Sequence, residues 1–413
     1  MTGPRAAAPP PGAPSPAQTR PYAALGATLC VQILLALSMS AAAVLAPAVA
    51  PSLGFAPERV GVFAGCGYLT AMLTGVRSGH WVAAIGAMRL SQAALLASAA
   101  GACLVAWGPP GLLLGGAALI GAGYGIVNPA AAAILTQHAP VTARGVFFST
   151  KQTGVPLGVA LAGLLMPVGL TALGWRPTVL AVGAACVLAA LALQPVVHAL
   201  EPPRSPPVSA DSPISLLLRV WRSPVLRPMS LASFCYAATQ QGFVTFLVSM
   251  LHLQLGWTLA AAAGVLAASQ AVSAVARIVF GGVGDRYAPP VAVLVGLGAA
   301  MSASCLALAA LGPGTPALWV TAAAMACAAT AMGWNGVFFA ALSHRVERQD
   351  MARVSGATQF FTFGGGMLGP LAFGEVVRAG GYGAAYVALA VVPAVAAVVL
   401  ARAGLSGPRK PPG

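Results

Sequence analysis

Twelve stretches of about 20 or more apolar residues leave this chain one kind of environment in which to fold. They fall near residues 23–49, 59–78, 89–108, 111–135, 147–170, 177–199, 229–252, 257–281, 290–312, 316–341, 354–376 and 382–403. A helix of about 20 residues, rising 1.5 Å per residue, matches the roughly 30 Å hydrocarbon core of a bilayer. Inside that core no water satisfies the peptide groups, so each run must bond its own backbone as a helix. Hydrophobic residues make up 58% of the chain and charged residues 7%, against roughly a quarter charged in soluble domains. The expected fold is therefore an all-α integral membrane protein with twelve transmembrane helices in two pseudo-symmetric six-helix bundles.

The formal charge of +14 could suggest nucleic acid, but its placement reports topology instead. With both termini on the cytoplasmic side, sixteen of the 21 basic residues fall in cytoplasmic loops and tails and three, Arg59, Arg176 and Arg378, in outer loops. That bias orients the chain by the excess of Lys and Arg on the inner face. A bacterial-type inner membrane is the expected location, with no nucleic-acid partner. The seven cysteines all lie in apolar runs, without C-x-x-C spacing or neighbouring histidines, so they read as small buried hydrophobes rather than disulfides or metal ligands. No cofactor is expected.

Residues 1–22 and 405–413 read as short cytoplasmic tails, the first rich in Pro and Ala and expected to be disordered. Between spans six and seven, residues 200–228, "LEPPRSPPVSADSPISLLLRVWRSPVLRP", form a cytoplasmic linker with room for a short amphipathic helix around Leu216 to Trp221. Residues 23–199 and 229–404 then make two bundles of six spans. They resemble each other in two registers: an offset of 202 matches Gly54 to Gly256 and Gly79 to Gly281, and an offset of 207 matches Asn128 to Asn335, Gln152 to Gln359 and Gly158 to Gly365. Duplicated halves in parallel orientation follow, related by an axis along the membrane normal.

After span eight the chain reads "GGVGDRYAPP", with Gly281, Asp285 and Arg286 at three positions of a G-x-x-x-D-R-x-G-x-x-R pattern; after span two, "GHWVAAIGAMR" keeps Gly79, Gly86 and Arg89 but has Ala83 and Ala84 in place of the acid and the first arginine. With its span pattern, the chain resembles the major facilitator superfamily of secondary transporters. The resemblance implies that spans one, four, seven and ten line a central cavity, flanked by two, five, eight and eleven. It also implies that these glycine-rich loops set the balance between two global states, although the first has lost its charge pair. As solvated loop charges, Asp285 and Arg286 would need no such role.

Polar groups inside the hydrocarbon cost a few kcal/mol unless they meet a partner or a cavity, so each is a site candidate. Lys151 lies about 10 Å into span five from Arg144; it snorkels back to the interface, faces the cavity or sits in a buried ion pair. Gln152, Asn128, Asn335, Gln359, Gln241, Gln270 and Tyr124 complete the substrate-binding candidates. Arg277, close to Gly281, is expected to snorkel or to pair with Asp285. Glu375 is the one candidate for an intramembrane carboxylate, with Arg378 as its partner. A cavity with no central acid and one lysine is neutral to positive, which suits a small organic anion or a polar metabolite held by Lys151 with Gln359 or Asn335.

The sequence carries no G-x-S-x-G, H-E-x-x-H or P-loop, which speaks against an enzyme. A monomeric carrier working by alternating access leads, moving a small-molecule substrate and leaving room for a coupling proton or ion. Efflux of an amphiphilic compound and a non-transporting membrane sensor are the alternatives.

Overall fold

The computed structural model describes residues 20–107, 109–140, 144–201, 213–343, 345–346 and 351–404. Among them ten segments are long and apolar enough to cross a membrane; the last, 354–403, is two helices joined at Gly381. The seventh span, Leu226–Ser249, is the remaining helix, and the total is twelve. In order the first six spans are Pro21–Val49, Val60–Ile85, Ala87–Trp107, Pro110–His138, the pair Arg144–Gln152 and Gly154–Leu173, and Trp175–Leu193. The second six are Leu226–Ser249, Leu259–Arg286, Pro290–Ala309, Ala317–Ser343, and the two parts of Met351–Gly404. Span one begins at Pro21, so the last two residues of the expected tail are already helical; 1–19 and 405–413 lie outside the described residues.

Two pairs of glycines display the duplication in the backbone. Gly54 and Gly256, at φ 74° and 72°, turn the chain after spans one and seven. Gly174 and Gly381, at φ 85° and 80° with ψ 166° and 176°, separate spans five from six and eleven from twelve. The first pair is 202 residues apart and the second 207, the two offsets found in the sequence. Left-handed backbone costs a residue with a Cβ about 1–2 kcal/mol, so both halves keep glycine at the same four corners.

Span five is interrupted at Thr153. Pro156 has no N–H to donate to the carbonyl of Gln152, and Thr153 N–H turns back to Thr150 O at 3.1 Å. The two glycine-motif segments are also less loop-like than expected. Gly79 lies within the helix of span two, and Gly281, Asp285 and Arg286 lie within the last turns of span eight, so only Gly86, at φ 98°, acts as a turn. Arg89 is an exposed residue of the first turn of span three. The cysteines divide: Cys186, Cys235, Cys305 and Cys327 are buried, whereas Cys30 and Cys103 are exposed, and all seven are free thiols.

Twelve crossings bring Pro21 and Gly404 to one end of the molecule, the terminal end; Glu58 and Glu375 mark the opposite, distal end. The halves meet through span two against eleven, five against eight, and one against seven. At the distal end the contact is glycine-tight. A Cβ on Gly61 would strike the carbonyl of Pro370, one on Gly374 the carbonyl of Glu58, and one on Gly163 the carbonyl of Ala263. Toward the terminal end Gly79, Gly281 and Gly282 have open space on the side where a Cβ would stand. At the distal end the two halves are thus in close backbone contact.

Candidate functional site

Between the halves lies a narrow cleft, with a cavity of about 20 Å³, lined from spans one (Ala36, Met39, Ser40), two (Tyr68), four (Tyr124), five (Val155, Val159), seven (Gln240, Gln241, Val244), eight (Gln270, Arg277) and ten (Met332). Spans three, six, nine, eleven and twelve contribute nothing to it. Three of the eight substrate-binding candidates, Tyr124, Gln241 and Gln270, are brought together in this wall.

The cation of the cleft is Arg277, which sequence reasoning set aside. Its place near the terminal end of span eight suggested snorkelling or a bond to Asp285, yet its guanidinium lies against the cleft. Its Nε is buried without a hydrogen-bond partner, and among the described residues no carboxylate bonds it. An arginine offers five N–H donors in a rigid fork that fits a planar anion. Opposite it, Tyr68, Tyr124 and Phe363 of span eleven form an aromatic triangle with ring centroids 6.1, 6.3 and 6.4 Å apart. Apolar rings beside an unpaired guanidinium lower the local polarity, which strengthens its attraction for an entering charge.

The amides around the cleft are held by their own bonds. Gln240 Oε1 accepts from Trp334 Nε1 at 3.2 Å and from Asn335 Nδ2 at 3.5 Å, which fixes the side chain across spans seven and ten. Gln270 Nε2 donates to Ser269 Oγ at 3.2 Å. Tyr236 is anchored away from the cleft, donating to Leu294 O at 2.7 Å. Asn335 therefore reaches the site through Gln240 rather than as a wall residue, and Gln240 was missing from the substrate-binding candidates.

Lys151 occupies different ground. It is 2% exposed and is not among the residues lining the cleft. Its Nζ donates to Gln32 Oε1 and to Asn128 Oδ1, both at 2.5 Å, tying spans one, four and five of one half together. Gln32 is fully buried, and its Nε2 has no partner. The lysine neither snorkels to the interface nor opens on the cleft in this state. Gln152 and Gln359 are half-buried and likewise stand outside the wall.

The acids Glu58, Glu201 and Glu375 stay near the ends of spans. Glu375 does not lie in the hydrocarbon interior: it is exposed and bonded to Arg378 at 2.6 Å. Glu201 receives the backbone N–H groups of Ala87 and Met88 at 2.5 and 3.1 Å, so a carboxylate from the end of span six caps span three just after Gly86. It stands beside the segment that has lost its own acid at Ala83. Described residues form no cluster of three or more His, Cys, Asp or Glu that would hold a metal.

Two six-helix halves around a polar cleft make this a multi-pass membrane protein. Residues 28–370 match the Major Facilitator Superfamily, and the chain belongs to that family. Its fold is similar to a bacterial homologue of the human lysosomal transporter Spinster in an inward-facing and occupied conformation, at 19% identity over 96% of this chain and 98% of that one, with a TM-score of 0.77. It is also similar to a POT family transporter in complex with 5-aminolevulinic acid (12% identity, 93% and 96% covered, TM-score 0.75) and to the D323A mutant of the nucleoside transporter NupG (15%, 92% and 99%, 0.73). No curated protein sequence matches the chain. The chain is a secondary transporter by family, and at these identities the structural likeness speaks for the fold alone.

Proposed function

We propose that this transporter carries a small organic anion and that Arg277 is the residue that holds its charge. The observation that supports this reading is the composition of the cleft: one half-buried arginine with an unpartnered Nε, five tyrosine or amide side chains, and no acid among the lining residues. An arginine held within a membrane span without a counter-ion costs a few kcal/mol, and an arriving carboxylate or phosphate offsets that cost. At the distal end the halves meet in the close glycine contacts. With both termini cytoplasmic, as the distribution of arginines suggests, that end faces outward, and rocking of the two halves would open first one side and then the other.

Lys151 on this reading is a scaffold cation, solvated by two amides within its own half. Gln241, Gln270, Tyr68 and Tyr124 orient the substrate, and Gln240, held by Trp334 and Asn335, fixes the floor they share. The test is uptake by proteoliposomes of radiolabelled mono- and dicarboxylates, organic phosphates and their neutral amides or esters. Preference for the anions, lost in Arg277→Gln, is the expected result. Equal uptake of anionic and neutral members by the wild type would refute the reading.

A further inference from the structure

The linker helix Pro213–Arg222 has three distinct faces. At about 100° per residue, Leu216, Leu217 and Val220 share one side. Val220 is 1% exposed, and the two leucines pack against the core. Ile214, Leu218 and Trp221 fall within an arc of about 60° on a second side and are all exposed, at 68%, 45% and 46%. Arg219, Arg222 and Ser215 share the third, where with Leu218 and Ser223 they border a surface depression. By its place between spans six and seven, this helix sits at the boundary of the bilayer on the terminal end.

A helix that packs one face on protein needs only water on the others. This one carries an exposed apolar stripe beside a two-arginine depression, which is the arrangement an interfacial helix uses against acyl chains and headgroups. Two further contacts fix it in place. Ser223 Oγ accepts from Leu226 N–H at 3.2 Å, joining the helix to the start of span seven. Trp221 stacks on Phe361 of span eleven with ring centroids 5.7 Å apart and planes 14° from parallel. Tryptophan with one face on protein and another exposed is suited to headgroup depth.

We propose that the depression edged by Ser215, Arg219, Arg222 and Ser223 is a binding site for the headgroup of an anionic phospholipid, whose acyl chains lie along Ile214, Leu218 and Trp221. Charge complementarity selects the anionic lipid. The adjoining apolar stripe selects a lipid over a soluble phosphate, which would leave that stripe uncovered. Because Trp221 stacks on Phe361, an occupied site is linked mechanically to span eleven, whose Phe363 packs against Tyr68 and Tyr124 of the cleft wall.

The full chain, purified in detergent, would be titrated with phosphatidylglycerol, with phosphatidylcholine of the same chain length, and with inorganic phosphate, with bound lipid read by native mass spectrometry. Retention of phosphatidylglycerol over phosphatidylcholine is expected, falling about tenfold in Arg219→Gln/Arg222→Gln. Arg222→Gln alone, expected to lose about half of that on a logarithmic scale, serves if the double variant fails to insert. A second readout is quenching of tryptophan fluorescence by lipids with brominated acyl chains. It should be stronger for phosphatidylglycerol in the wild type and equal for the two headgroups in Arg222→Gln. Unchanged lipid retention in both variants, or displacement of the lipid by inorganic phosphate at equal concentration, would overturn the proposal.

Discussion

Lys151 and Arg277 are both cations within membrane-spanning helices, and the surroundings of each differ in kind. Lys151, in the first half, is enclosed by one bundle and gives its protons to the oxygens of Gln32 and Asn128. Arg277, in the second, faces the gap between bundles and has a buried Nε with no partner. A charge whose donors are already filled by neighbours has little left for a ligand, whereas one held bare is stabilised only when a ligand arrives. The difference teaches that charge within a span is not sufficient to mark a transport site; the side on which its donors are left open marks it.

That contrast can be broken most forcefully at Arg277. Arg277→Gln is expected to lower anion uptake about 30- to 100-fold, the loss of one or two charge-assisted hydrogen bonds worth about 2–3 kcal/mol, with expression and insertion retained. Asn128→Leu attacks the other side of the comparison. It strips one of the two acceptors from a buried ammonium and should cost about 1.5–3 kcal/mol of stability, seen as a lower thermal transition in detergent. Uptake per folded molecule should hold. If uptake instead collapses while stability holds, Lys151 and its partners belong to the transport site.

Smaller effects sharpen the picture. Glu201→Ala removes the cap from span three and should cost about 1 kcal/mol, again with transport per folded molecule unchanged. Lys151→Met replaces a buried cation with an apolar chain of similar length and should alter stability by less than about 1 kcal/mol in either direction, since apolar replacement of buried charge is often neutral. Both are read by thermal unfolding alongside proteoliposome uptake.

Much of the architecture was legible because hydrocarbon imposes simple rules. The twelve apolar runs, the linker helix near Leu216 to Trp221, and the two registers that place Gly54 on Gly256 required only run length and spacing. The four-corner glycine pattern adds Gly174 and Gly381 to those registers, a match the sequence contains at an offset of 207 but which stands out only once φ is known. Tyr124, Gln241 and Gln270, which line the cleft, stood out in the sequence because amides and phenols are rare in apolar spans.

The cations were harder because spacing gives depth and not facing. Arg277 lies close enough to Gly281 for its stem to reach the interface, and no periodicity distinguishes that outcome from a turn toward the cleft. Lys151 was judged without Gln32, a lone amide in the first apolar run and 119 residues away, whose partnership depends on how spans one and five pack. Counting every amide in the apolar runs, rather than only those with a duplicate, would have drawn attention to it.

The central claim is that anion recognition rests on Arg277 and not on Lys151. Its most direct test is side-by-side uptake of an organic anion and its neutral amide by the wild type, Arg277→Gln and Lys151→Met in the same liposomes. The account predicts that only Arg277→Gln removes the preference for the anion, leaving uptake of the neutral analogue within about threefold of wild type. Loss of that preference in Lys151→Met, with Arg277→Gln still discriminating, would contradict it.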